Sequence, residues 1–184
     1  MKKKYTVTAT LIILAIAGGV YAWKTASDPY EGWKMYRNDE VGYSIKYPAD
    51  FTVKKIETTD YDRENNPRLV EIEKESVTFK NIERNIVFLV SVLDNPLELP
   101  PREWVHWAWN DPLHDELVAE SLSDITINGM QAIATKGTQE KMFGFLVYLV
   151  NEKKAFDFAG GGTPENQQED ELLFNKFVKS LQVD

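Results

Sequence analysis

The two histidines of this chain, His106 and His114, lie eight positions apart, with Asp111, Asp115 and Glu116 close by. Imidazoles and carboxylates at such density are the raw material of a zinc site or of general acid–base chemistry. Their spacing opposes both roles. Pro112 stands between the histidines and divides them between two helices, and neither His-x-x-Glu-His nor His-Glu-x-x-His occurs. Solvated surface histidines are the expectation. Ser44, Ser76, Ser91, Ser121, Ser123 and Ser180 lack a nucleophile-elbow context. Gly160-Gly161-Gly162 precedes a helix, as in some anion sites, but no phosphate-loop lysine follows. It reads as a flexible strand-to-helix connection. The carboxylates between Glu165 and Glu171 suit the first turns of the last helix and its dipole, and they carry no EF-hand register. The sequence therefore predicts no catalytic residue, no metal and no cofactor.

Trp104, Trp107 and Trp109 put three indoles within six residues. Such a cluster can form an aromatic platform for sugar rings or for an apolar partner. It can equally be the buried face of a helix formed by Trp104, Trp107 and Ala108 with Trp109 at the rim, because large aromatics are mostly buried. Three positions so spaced cannot share one helical face, so at least one indole is expected at the surface. These three are the candidate binding residues.

The elements that must position them follow from periodicity. Gly42 to Tyr47 alternates apolar and polar residues as a half-buried strand does, and Pro48 ends it. Phe51 to Val53 continues extended. Residues 57–68 are charged, with Asn65-Asn66-Pro67 as a breaker, and read as a mobile loop. Leu69 to Phe79 reads as one long or two short strands. The near-continuous apolar run Ile86–Leu93 is the pattern of a central strand covered on both faces. Pro101 suits the first position of a helix, and Asp111-Pro112 starts a second helix through Leu122. Asn128-Gly129 predicts a type I′ hairpin. Strands follow through Ala134, from Met142 to Val150 and from Ala155 to Phe158, with Asn151 to Lys154 as a hairpin connection. Thr163 and Pro164 open a last helix whose apolar stripe is Leu173, Phe174, Phe177, Val178 and Leu181. Strand and helix runs are segregated, which is the α+β pattern: a mainly antiparallel central sheet covered by helices, an α/β/α sandwich.

The compartment is read from the other end of the chain. Met1-Lys2-Lys3-Lys4 precedes an apolar run of nineteen residues, Tyr5 to Trp23, and no acid appears before Asp28. Lysines beside an apolar run stay in the cytoplasm, so the remainder is exported. About twenty apolar residues span a bilayer, and Trp23-Lys24 suits an interfacial anchor. The expected organisation is a cytoplasmic tail 1–4, a transmembrane signal-anchor helix 5–23, a linker 24–32 and an exported domain 33–184. Val20-Tyr21-Ala22 supplies the alternative, cleavage near Ala22 and secretion. The chain has no cysteine, which excludes disulfides, thiolate metal sites and a lipidated cysteine. The whole chain carries −8; without the three N-terminal lysines the exported part has 18 basic against 29 acidic residues, or −11. That charge disfavours nucleic acid and anionic lipid as partners.

Trp33-Lys34-Met35-Tyr36-Arg37-Asn38 followed by Gly42-Tyr43-Ser44-Ile45-Lys46-Tyr47-Pro48-Ala49-Asp50-Phe51 resembles the opening of PsbP-like domains. Those begin with an aromatic-rich strand and a Gly-(Phe/Tyr)-Ser-(Ile/Phe)-x-Tyr-Pro-x-x-(Trp/Phe) hairpin. A helix after a central strand, the Ile127-Asn128-Gly129 hairpin and a closing helix with Phe174, Phe177 and Leu181 come in the family's order. The resemblance implies an α/β/α sandwich and a binding or assembly module rather than an enzyme. Its expected partners are the membrane, through the Tyr5–Trp23 helix, and another envelope protein or cell-wall glycan. An exported hydrolase and a photosystem-type accessory subunit are the alternatives.

Overall fold

The computed structural model describes residues 28–57, 67–109, 122–139 and 142–184. The expected membrane span at 5–23, residues 58–66 of the loop expected at 57–68, and the second helix from Asp111 with His114 lie outside the described residues; Pro67 and Arg68, expected in that loop, are helical. Among the described residues, no helix is long and apolar enough to cross a membrane. The described residues 28–33 belong to one compact unit, and a second unit runs from Lys34 to Asp184. Within the first unit, Tyr30 meets Trp33 edge-on at 5.4 Å.

The strands are β1 (Trp33–Asn38), β2 (Tyr43–Pro48), β3 (Thr52–Ile56), β4 (Glu73–Asn81), β5 (Ile86–Asp94), β6 (Ser123–Ile127), β7 (Met130–Gln139), β8 (Met142–Val150), β9 (Lys154–Gly162) and β10 (Gln182–Val183). The helices are α1 (Pro67–Ile72), α2 (Pro101–Trp109) and α3 (Gln167–Lys179). Seven strands form one sheet in the order β3-β4-β5-β9-β8-β7-β6, and β1-β2-β10 form a smaller sheet. Every ladder resolved in the large sheet is antiparallel. The class is α+β.

The alternation of β5 sends Phe88, Val90 and Val92 to one face, where cross-strand neighbours Phe79, Val77, Phe158 and Phe156 join them. α3 lies on this first face. Phe177 packs 5.0 Å from Phe79 and 5.0 Å from Phe88, and Phe174 lies 5.4 Å from both Phe88 and Phe145. The small sheet covers the rest, with Tyr43 at 5.9 Å from Phe156 and Tyr47 at 5.2 Å from Phe79. Each buried aromatic contributes about 1.5–3 kcal/mol, so this layer dominates stability. On the second face Leu93, Ala155, Tyr148, Val150 and Ile133 meet Ile72 of α1 and Trp104, Val105 and Ala108 of α2.

Several sequence expectations change here. β5 is interior in the sheet, but its second face is covered only toward Leu93; Val87 is 36% exposed. α1 replaces the first part of the strand expected from Leu69. Gly160-Gly161-Gly162 is not a flexible connection: all three residues are in β9. Thr163 makes no side-chain cap; a short 3-10 turn, Pro164–Asn166, precedes α3. Glu169 and Asp170 stand in the first turn of α3, as expected of acids that suit the helix dipole; Asp170 is in addition fully buried and ion-paired with Arg84 at 2.7 Å. The hairpin at Asn128-Gly129 has φ of 51° and 81°, the positive pair that a type I′ turn needs.

Candidate functional site

A buried carboxylate marks the seam between the two sheets. Glu73 pairs with Leu93, but Glu75 pairs with Val92, because a β-bulge inserts Lys74. The extra residue flips the phase of the strand. Glu75 is thereby turned to the first face, under the small sheet, instead of following Glu73 to the second. Its side chain is only 4% exposed. Tyr36 of β1 donates to Glu75 Oε1 at 2.7 Å, and Tyr43 of β2 donates to Oε2 at 2.8 Å. Lys55 of β3 adds an ammonium 2.6 Å from Oε1. Four strands from two sheets therefore meet on one side chain.

The electrostatics match the geometry. Burial alone would raise the Glu75 pKa; hydrogen bonds from Lys55, Asn38, Tyr36 and Tyr43 outweigh it and hold the pKa below the ordinary value. Burial and then the Glu75 carboxylate push the Tyr36 phenol up to about 12, and the same causes raise Tyr43 further. Glu75 is a fixed anion and both phenols are fixed donors. A carboxylate so saturated is a poor general base, because every donor must be released before it takes a proton.

This cluster opens on a cleft of about 570 Å³ lined by Glu40, Glu57, Lys55, Lys74, Asp94 and Lys154, among others. Lys74 is paired with Asp94 at 2.7 Å, and Lys154 donates to the Val41 carbonyl. The walls are charged and mixed in sign, with Lys55 paired to Glu75 and Lys74 to Asp94, and Ile56 at the rim is 41% exposed. Such a surface suits a polar macromolecular contact better than enclosure of a small apolar ligand. Among the described residues no group of three or more His, Cys, Asp or Glu side chains is arranged for a metal ion.

The three tryptophans do not form one surface. Trp104 is fully buried in the α2 core, its Nε1 3.4 Å from the Asp94 carbonyl, so no ligand can touch it. Trp107 and Trp109 are half-buried against the same cluster. Arg68 of α1 lies over the Trp107 ring at 5.2 Å and donates to the Trp107 carbonyl. His106 is exposed on α2. Among the serines, Ser76 and Ser91 share a hydrogen bond of 2.7 Å and Ser76 also donates to Glu73.

Tyr36, Tyr43, Lys55 and Glu75 were not singled out from the sequence. One signal existed: Glu75 shares its alternation phase with the apolar Val77 and Phe79, so a carboxylate occupies a core phase. Asp157, between Phe156 and Phe158 in β9, is a second acid inside an apolar strand.

The fold is PsbP-like. The solution structure of the cyanobacterial PsbP protein CyanoP from Synechocystis superposes with a TM-score of 0.57 at 12% identity, over 86% of this chain and 96% of that one. A crystal structure from Bacteroides thetaiotaomicron superposes with a TM-score of 0.52 at 13% identity, over 83% of this chain and 49% of that one. At such identities the likeness is one of fold. No family model and no curated protein matches the sequence.

Proposed function

We propose that this chain is a membrane-tethered, extracytoplasmic binding or assembly module, and that the cleft beside Glu75 is the surface it offers to another envelope protein. The observation that carries the reading is the saturated Glu75 cluster. It fixes one geometry at the junction of two sheets, with its own carboxylate and phenols held as anion and donors, within a fold matched over nearly the whole of a PsbP protein. The N-terminal lysines and the apolar run of residues 5–23 support a tether with the domain outside. A pre-organised polar surface beside a membrane gains affinity from tethering, because the linker raises the local concentration of any partner in the same membrane.

Two measurements test this. The chain is cysteine-free, so a single Glu83→Cys variant reports topology: a membrane-impermeant maleimide should label it in intact cells. Protection until lysis would overturn the export reading. Photo-crosslinkers at Glu40 and Glu57, both exposed on the cleft, should give a discrete adduct in cells that weakens in a Lys55→Glu variant. Equal adducts from Leu172, an exposed residue of α3, would remove the cleft from the proposal.

A further inference from the structure

We propose that Asp157 is a proton-binding switch on the sheet face that carries α1 and α2, beside the Tyr148 they cover: neutral, it lets the helices pack on that face, and ionised, it loosens them. Asp157 lies in β9, the fourth of seven strands, and is 7% exposed. Its Oδ1 is buried and accepts no hydrogen bond. Its cross-strand neighbours are Ser91 of β5 and Tyr148 of β8. The Ser91 hydroxyl is already paired with Ser76, whose hydroxyl is directed to Glu73. Among the described residues an anion here has no compensating charge, and a buried uncompensated carboxylate protonates rather than remain ionised.

The surroundings offer little else to titrate. Among the described residues, β8 presents Tyr148, and β5 and β4 present the serine pair with Glu73 behind it. On the helices, Arg68 of α1 is held on Trp107, while Glu71 of α1 and Glu103 and His106 of α2 are exposed. Burial therefore acts almost alone and pushes the carboxyl from 3.8 up to about 7. The folded state binds this proton more tightly than the unfolded chain. Stability from the group is fully present below about pH 3.8 and is lost as pH rises through about 7.

The responding element is short. α1 has six residues and α2 nine, lengths that hold as helices through packing rather than by themselves. Tyr148 belongs to the cluster that they cover, and Asp157 sits beside it. On the extracytoplasmic placement proposed above, the domain meets varying pH, and a group titrating near neutrality would couple the helical cover to the exterior.

The test is infrared titration of the full chain from acid to alkaline pH. A protonated-carboxyl C=O band should persist after ordinary carboxylates ionise near about pH 4. It should vanish with a midpoint of about 7 and be missing in Asp157→Asn. Amide exchange in α1 and α2, corrected for the chemical rate, should quicken above that midpoint in the natural chain and not in the variant. Loss of the whole band with the ordinary carboxylates overturns the proposal, and does so even where the variant fails to fold. A band unchanged in Asp157→Asn, or exchange that quickens equally in both chains, overturns it as well.

Discussion

Gly160→Ala should destabilise the domain, although alanine is ordinarily the better strand residue. Gly160 is the seventh of the nine residues of β9, opposite Phe88 on one side and Phe145 on the other. A Cβ built there lies 2.5 Å from Phe174 Cδ2 and 2.8 Å from Cε2. Carbon atoms prefer about 3.5–4.0 Å, so the ring must retreat by roughly 1 Å. It cannot slide sideways, because Phe88 and Phe145 each stand 5.4 Å away. The strain passes to α3. Overpacking of this kind costs about 1–3 kcal/mol, and relief of the glycine entropy returns about 0.5–1 kcal/mol. The net loss is about 1 kcal/mol at the middle of those ranges and about 2.5 kcal/mol at most, so the central expectation is a Tm lower by about 2–4 °C. Urea unfolding followed by tryptophan fluorescence measures it. Phe174→Ala, itself costing about 3–5 kcal/mol, removes the ring. On that background Gly160→Ala should be neutral or stabilising, a coupling of about 1.5–3 kcal/mol. An equal loss in both backgrounds would refute the steric account and return Gly160 to a purely conformational role.

Glu75 makes the opposite pH statement to Asp157. Its folded pKa is lowered, so its stabilisation is present above the unfolded value of 4.5 and is lost as pH falls through the folded one; Glu75→Gln should flatten the acid limb of a stability–pH curve, and an unchanged limb would contradict the clamp. Trp104→Ala should cost about 3–5 kcal/mol as a full core truncation, whereas Trp107→Ala, at a half-buried position, should cost clearly less; equal losses in chemical denaturation would place both indoles in the core.

Local patterning places most of the strands along the chain, the Asn128-Gly129 turn, the start of α2 at Pro101 and the apolar face of α3. These are local matters: a period of two or of 3.6, a proline without an N–H, a turn that needs two positive φ values. The sequence also carried the opening motif whose resemblance the fold bears out. It misread Leu69–Ile72 as strand, because a short apolar run has no distinguishing period, and packing of Ile72 and Leu69 against the α2 cluster decides for helix. It misread the triple glycine as a loop, because the reason for Gly160 is a phenylalanine from another element. Only the tertiary structure made Glu75 a site. A one-residue bulge is invisible in composition, yet it turns one carboxylate under a second sheet, where two phenols and an ammonium from distant strands converge on it. Local sequence fixes what each segment can be; which side chains share a place depends on register, and register is settled only when the sheets close on one another.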